Sequence, residues 1–364
     1  MGFHVPDIQD PSQAFHNKHE VMTERIYQDP ELLPDRYNFV LTNRCNLKCP
    51  FCFLTQEKKK NAMKVQDWIS LAMQLPDYAR VTFTGGEPLV FPGFEKIFSY
   101  VAKRFDCNII TNGTLLTKEK IDLFLSYSNF KVLSVSIDNI GNTLRGMTRA
   151  QWERVRKMMN YFATKKRTAN PGCLLEAKTL ILDENARDLF KIRRYCAEEL
   201  MCDHQSFQFL KGSPLQHADM MFPLHKVHER SSAIVYKNFD TICRQLEKIR
   251  QYNVKTGKKA FLHPKIADLN TKEKMPDIAF INSAKHIGRQ YNPCKFAWSS
   301  VHVNADGDLF PCMAIAFGNV KKTPLAKIIK GKTSAAFKDI VRHEKTVEGC
   351  NRCGWLRPVA GKVL

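Results

Sequence analysis

YNFVLTNRCNLKCPFC, residues 37–52, is a strand running into a cysteine loop. Tyr37 to Asn43 mixes aromatic, β-branched and polar residues in the manner of a β-strand. The eight residues from Cys45 to Cys52 then hold three cysteines, at 45, 49 and 52. Thiolates suit soft metals, which means zinc or an iron–sulfur cluster. A structural zinc site wants a fourth ligand, and no other His or Cys lies close in sequence. A cubane held by three thiolates leaves one iron open to bind something else.

Five more β-rich runs follow the first: RVTFTGG (80–86), CNIITNG (107–113), VLSVSID (132–138), LLEAKTLIL (174–182) and SFQFLK (206–211). Helical patterns near 64–75, 93–104, 117–127, 150–166 and 186–200 separate them. Six strands with five intervening helices predict consecutive right-handed βαβ units around a parallel sheet, an α/β partial (β/α)6 TIM-like barrel. In such barrels the carboxyl ends of the strands hold the chemistry, and here those ends carry Thr, Asn, Gly, Glu and Asp. The expected organisation is an N-terminal extension at 1–36, this core at 37–211, a helical, Lys-rich insertion or linker at 212–292 and a small Cys-rich module at 293–364. Within the insertion, Val235, Phe239, Ile242, Leu246 and Ile249 predict an amphipathic helix over 231–251, and 252–292 has no periodicity. In the module, WSSVHVN (298–304), a turn at Gly307 and DLFPC (308–312) predict a hairpin, with a helical stretch at 324–342.

The 364 residues carry a formal charge of +20 and 12 Cys. The positive field favours anionic partners without choosing among them. No apolar run approaches the ~20 residues of a membrane helix, and the N-terminus lacks an apolar signal region, so no membrane partner and a cytoplasmic location are expected. In a reducing compartment, clustered Cys read as metal ligands. Cys294, Cys312, Cys350 and Cys353 form a second set, spaced C-x12-G-x4-C and, after 37 residues, C-x2-C. A hairpin and a short helix bringing them together would make a closed four-thiolate site, for zinc or for an iron–sulfur cluster. Cys107, Cys173, Cys196, Cys202 and Cys243 read as small buried apolar residues. Glu176 and Lys178 share one strand face, as a salt bridge or as groups near a substrate.

The C-x3-C-x2-C spacing, with Phe51 just before the third Cys, resembles the radical S-adenosylmethionine (radical SAM) superfamily. Thr84-Gly85-Gly86-Glu87-Pro88 resembles that family's GGEP motif, and Thr111-Asn112-Gly113 and Ser136-Ile137-Asp138 fit its pattern at the next strand ends. The resemblance implies that Cys45, Cys49 and Cys52 hold a [4Fe–4S] cluster whose fourth iron binds the methionine part of S-adenosylmethionine. It also implies reductive cleavage to a 5′-deoxyadenosyl radical that abstracts hydrogen from a C–H bond. On this reading Gly85 and Gly86 bring backbone close to the ligand, Glu87 accepts from its ammonium and Pro88 stiffens the turn. Ser136, Asp138, Asn112 and Asn185 offer hydrogen bonds to the ribose, and Phe51 packs on adenine or shields the cluster.

The second cysteine set looks like a shortened, twitch-like form of the SPASM modules that follow many radical SAM cores. It implies one auxiliary [4Fe–4S] cluster on Cys294, Cys312, Cys350 and Cys353, used for electron transfer. The implied substrate is a peptide or a small anionic molecule, with a flavodoxin- or ferredoxin-type reductant; residues 1–36 are too few for a separate leader-peptide domain. An RNA-modifying enzyme of the same superfamily is the alternative, although no RNA-binding signature accompanies the charge. A non-catalytic zinc-binding interaction protein would leave the three-Cys count and the strand-end motifs unexplained.

Overall fold

The computed structural model describes residues 11–52, 54, 62–217, 219–230 and 233–359, except the side chains of 11–17 and 217. The outermost parts of the N-terminal extension and of the C-terminal module, 1–10 and 360–364, lie outside the described residues. In chain order the elements are α1 (Pro11–Gln28), β1 (Arg36–Val40), α2 (Val65–Ala72), β2 (Arg80–Thr84), α3 (Phe94–Ala102), β3 (Asp106–Thr111) and α4 (Lys118–Leu125). They continue with β4 (Phe130–Ser136), α5 (Arg149–Ala169), β5 (Leu174–Ile181), α6 (Leu189–Glu198), β6 (His204–Phe209), α7 (Phe239–Thr256) and β7 (Lys259–His263). The C-terminal part adds α8 (Phe296–Ser299), β8 (Ser300–Val303), β9 (Asp308–Phe310), β10 (Gly318–Asn319), α9 (Leu325–Ile329) and α10 (Lys332–Glu344).

β1 to β7 are parallel neighbours in sequence order, and each of the first six stands where a strand is expected. Alternation along the strands explains the two faces. Tyr37, Phe39, Val81, Phe83, Cys107 and Ile109 face outward and are buried with the helices. Phe83 sits edge-on to Phe94 at 5.5 Å, and Phe98 packs on Phe124 at 4.7 Å. Burying each such ring is worth about 2–3 kcal/mol, enough to make the outer layer the main apolar core. The alternate residues, among them Asn38, Thr82, Asn108, Ser134, Glu176 and Ser206, are buried and polar. They bond one another across strands, as when Thr82 Oγ1 donates to Asn108 Oδ1 at 2.9 Å. The barrel interior is therefore a polar chamber.

The sheet is wider than six strands. β7 pairs parallel to β6, and its alternation, Ala260 and Leu262 buried, is masked in sequence by flanking lysines. The 298–304 hairpin does not stand apart either. Its first strand, β8, pairs parallel to β1, giving a ten-stranded order β10-β9-β8-β1-β2-β3-β4-β5-β6-β7. The helix expected over 231–251 begins instead at Phe239. Asp183 takes the Lys237 and Asn238 amides, at 3.1 and 2.8 Å, and Tyr236 Oη donates to Ile181 O at 2.9 Å. These bonds hold the approach to α7 extended, and Val235 is left half exposed. The stretch at 324–342 is two helices, α9 and α10, broken at Gly331.

At the base of the barrel α1 is pinned by His19, whose Nδ1 lies 2.7 Å from Asp35 Oδ2, and by a Thr23–Ser299 hydroxyl bond of 2.7 Å. No helix among the described residues is long and apolar enough to cross a membrane.

Candidate active site and auxiliary thiol site

The cysteine loop leaves β1 and rests directly on the end of β2. Gly86 N donates to Thr42 O at 2.7 Å and Glu87 N to Arg44 O at 2.9 Å. A Cβ on Gly85 would lie 2.4 Å from Thr42 O, and one on Gly86 2.2 Å from Arg44 O. Only glycine fits at either place. At both positions the missing Cβ makes room for the backbone of the protein's own cysteine loop.

Two thiols of that loop are already in polar company. Leu47 N and Asn112 Nδ2 approach Cys45 Sγ at 3.4 and 3.7 Å. Cys49 Sγ lies 3.9 Å from Arg145 Nη1 and 3.8 Å from Arg145 O. Cys52 is exposed, and Cys45 and Cys49 both feel its charge, so the three thiols share one locality. Phe51 stands next to Arg145, with the guanidinium 5.5 Å from its ring centre, and so flanks the thiols.

The strand-end residues divide into braces and exposed groups. Glu87 is fully buried, and its carboxylate accepts from Leu89 N (3.1 Å), Thr111 Oγ1 (2.7 Å) and Asn112 N (2.7 Å). Burial pushes its carboxyl up to about 7 against the pull of those bonds and of Arg145. Glu87 thus ties the β2 and β3 ends together. Pro88 begins the short turn that Glu87 caps.

Asn112 spends its amide on Asn46 Oδ1 (2.9 Å) and its carbonyl on Thr114 (N at 2.9 Å), so it joins the cysteine loop to β3 in place of reaching a ribose. Asn185 is buried, accepts from Leu182 N and donates to Asp138 O and Leu180 O at 2.8 and 2.7 Å. It too is a brace. Asp138 is fully buried, with Oδ1 accepting from Leu180 N at 2.8 Å and Oδ2 ion-paired to Arg145 Nε at 2.7 Å. Burial raises its carboxyl above the usual range while Arg145 opposes the rise. Ser136, partly buried, lends its carbonyl to Asn142 Nδ2 at 2.8 Å.

Arg145 is the residue that sequence reasoning missed. It lies in the loop after β4, touches Cys49, Phe51 and Asp138, and has no periodic or motif signal. The Glu176–Lys178 pair is a salt bridge of 3.3 Å, with Ser134, Ser206 and His204 also on the Glu176 carboxylate; Lys178 holds that carboxyl well below its ordinary range against the effect of burial.

The second cysteine set converges. Cys294, Cys312, Cys350 and Cys353 line one narrow cavity with Gln216, Phe296, Met313 and Trp355. Burial, followed by the charge of the other thiols, pushes Cys294 up to about 11 and holds Cys312 and Cys350 higher still. Their loop is locked in place: Gln216 Nε2 donates to Gly349 O and Asn351 O at 2.8 and 2.6 Å, and Arg352 Nε to Ile281 O at 2.8 Å. Gly354 lies against His263 of β7, while Cys312 follows β9, so the module stands in the lateral gap between the two ends of the sheet.

Among the described residues no three His, Cys, Asp or Glu side chains close on a point as a single metal ion needs. Four thiols around one cavity are a donor set that fits an iron–sulfur cluster. The other five cysteines are free; Cys107, Cys173, Cys196 and Cys202 are buried in the outer apolar core and Cys243 is partly buried.

Comparison with known proteins agrees with this layout. Residues 39–174 match the radical SAM superfamily, and residues 294–354 match the SPASM iron–sulfur cluster-binding domain. Over 139 residues the chain is 30% identical to the antilisterial bacteriocin subtilosin biosynthesis protein AlbA of Bacillus subtilis, covering 37% of this chain and 31% of that protein. Over 142 residues it is 30% identical to the sporulation killing factor maturation protein SkfB of the same organism, covering 35% and 34%. The matches thus span about a third of the length of these relatives. In fold it resembles Streptococcus suis SuiB bound to S-adenosylmethionine, with a TM-score of 0.60 and 16% identity over 94% of this chain and 75% of that one. The two matched regions follow one another along one sheet: residues 39–174 are a radical SAM domain and residues 294–354 an iron–sulfur cluster-binding domain of the SPASM type.

Proposed function

We propose that this protein is a radical SAM enzyme that modifies a peptide at a C–H bond, with Cys45, Cys49 and Cys52 holding the cluster that binds S-adenosylmethionine. The observation that carries the reading is the cysteine loop seated on Gly85 and Gly86, with a partly buried cation, Arg145, beside Cys49 and Phe51. When bound, the cluster and S-adenosylmethionine together supply a 5′-deoxyadenosyl radical able to remove a hydrogen atom from an unactivated carbon.

The chain's own residues position and protect. Arg145, held by Asp138, presents a guanidinium to the carboxylate of the methionine moiety. The Gly85–Gly86 backbone and the Ser136 hydroxyl are the polar groups that face the ligand, while Glu87, Asn112 and Asn185 keep the strand ends in register behind them. Phe51 shields the thiols from water. The polar chamber between β1 and β7 receives the substrate. The four-thiol site has a full set of protein ligands, which suits it to electron transfer and leaves no position for substrate.

A peptide substrate is supported by the names of the relatives, two of which concern bacteriocin biosynthesis and killing-factor maturation. It is also supported by the likeness in fold to SuiB, seen with the precursor peptide SuiA. The charge of +20 suits an acidic peptide and an acidic one-electron donor of flavodoxin or ferredoxin type. We assign 37–211 to the core and 293–364 to the module, with 212–292 contributing β7 to the same sheet.

The test is a count of iron and sulfide in anaerobically reconstituted protein, with 5′-deoxyadenosine measured after dithionite. About eight irons per chain are expected, falling to about four with loss of cleavage in Cys45→Ala/Cys49→Ala/Cys52→Ala. Zinc in place of iron would overturn the proposal.

A further inference from the structure

Two cations of the barrel interior have no part in the site just described. Lys211 follows β6, and Arg36 opens β1. The chain around Lys211 is fastened to the cysteine pair of the module: Gly212 N donates to Asn351 O at 3.0 Å, and a Cβ on Gly212 would lie 2.6 Å from Asn351 Cγ. Arg36 lies with its guanidinium 4.7 Å from the ring centre of Trp355, two residues beyond Cys353, and donates to Ser300 Oγ at 3.1 Å. Both cations are within electrostatic reach of Cys353, and Lys211 also of Cys312. Among the described residues neither makes an ion pair with a carboxylate, whereas Lys178, the next cation in the chamber, is matched by Glu176.

We propose that Lys211 and Arg36 form the inner wall of the auxiliary site and set the reduction potential of its cluster. The proposal rests on the reading of the four thiols as a cluster site. A four-iron cluster on four thiolates carries about two negative charges in its oxidised form, and one more when reduced. Two fixed cations on the chamber side match the oxidised charge and favour the added electron, through a medium where charges are weakly screened. Burial pushes the Lys211 ammonium down to about 8 and the Arg36 guanidinium to about 9, so both charged forms gain from an anion beside them. Their side matters. Arg36 packs on Trp355, which lines the thiol cavity, and Lys211 precedes the glycine bonded to Asn351, so on this proposal the cluster's electropositive face is the one nearest β1 and β6.

The experiment uses Cys45→Ala/Cys49→Ala/Cys52→Ala protein reconstituted with iron and sulfide, so that only the auxiliary cluster contributes. Its potential is titrated anaerobically and read by electron paramagnetic resonance. Lys211→Gln is expected to raise the oxidised-to-reduced ratio at a fixed potential about tenfold, a fall of about 59 mV for one electron. Arg36→Gln is expected to act in the same direction, and Lys211→Arg to return the ratio to within about threefold of the parent. Iron content near four in each variant separates a tuning effect from loss of the site. An unchanged ratio in Lys211→Gln at full iron content would overturn the inference while leaving the proposed function intact. So would a weaker substrate KM in the otherwise unmodified enzyme with no change of potential, which would give the cations to a substrate anion. A module that assembles no iron–sulfur signal at all would overturn both.

Discussion

Gly86→Ala isolates the contact on which the cysteine loop rests. The added Cβ would lie 2.2 Å from Arg44 O, 2.6 Å from Arg44 C and 2.8 Å from Asn43 O, all backbone atoms. Relief needs a displacement of about 1 Å, because carbon contacts are comfortable only near 3.5 Å or more. Such a shift parts Gly86 N from Thr42 O and Glu87 N from Arg44 O, bonds of 2.7 and 2.9 Å. Overpacking of this kind costs about 1–3 kcal/mol and each of the two buried donors left without a partner a similar amount, giving roughly 3–9 kcal/mol in all. Thermal unfolding of the metal-free protein should shift down by roughly 5–10 °C. The reconstituted variant should lose about four irons from the first site and keep about four in the second. Gly257→Ala is the control. Unlike Gly86, Gly257 has a positive φ, +71°, but nothing lies within 4 Å of its added Cβ, so only the left-handed backbone is strained, at about 1–2 kcal/mol. If Gly86→Ala melts with Gly257→Ala and retains about eight irons, the close approach is not what holds the cysteine loop, and the account of the motif fails.

Arg145→Met should leave the fully buried Asp138 carboxylate without its cation and cost about 3–5 kcal/mol, with S-adenosylmethionine binding weakened at least tenfold by calorimetry; Arg145→Lys should recover part of both. Asn185→Ala removes three bonds, one to the β4 end and two within the β5 end, and should lower stability by about 2–4 kcal/mol with little change in S-adenosylmethionine affinity, whereas a large affinity loss would make it a ligand. His19 gives a pH dependence. Burial holds its folded-state value down at about 4, against an ordinary 6.5, so its contribution is complete above pH 6.5 and is lost as the pH falls toward 4. The loss is on the order of 3 kcal/mol, and urea unfolding of His19→Gln should show a correspondingly flatter fall over that window.

What could be read in advance depended on how far along the chain the cause of each feature lies. The three cysteines of the first loop, the two of the last and the alternation of β1 to β6 are local patterns, and each stands where the pattern puts it. The exceptions all have distant causes. The turn before α7 is held extended by Asp183, more than fifty residues earlier, so the apolar spacing of Val235 and Phe239 mimics a helix that the capping carboxylate forbids. β7 is a strand because β6 offers it an edge, not because Lys259 to His263 looks like one.

The same distinction decides the site. Gly85-Gly86-Glu87 and the Asn and Asp residues at strand ends are legible as a set, but the sequence does not say which partner each one meets. Most meet the protein: glycine against the cysteine loop, Glu87 against Thr111 and Asn112, Asn185 against Asp138. A radical formed at an open iron will attack whatever C–H bond is nearest, so a strand end that drifted by an ångström would misdirect it. Residue types that look chosen to touch a cofactor are, at this site, largely spent on fixing where the cofactor's neighbours stand. The direct contacts we assign are to backbone, to Ser136 and to Arg145, a cation beside Cys49 and Asp138 whose only sequence signature is its position in the loop after β4.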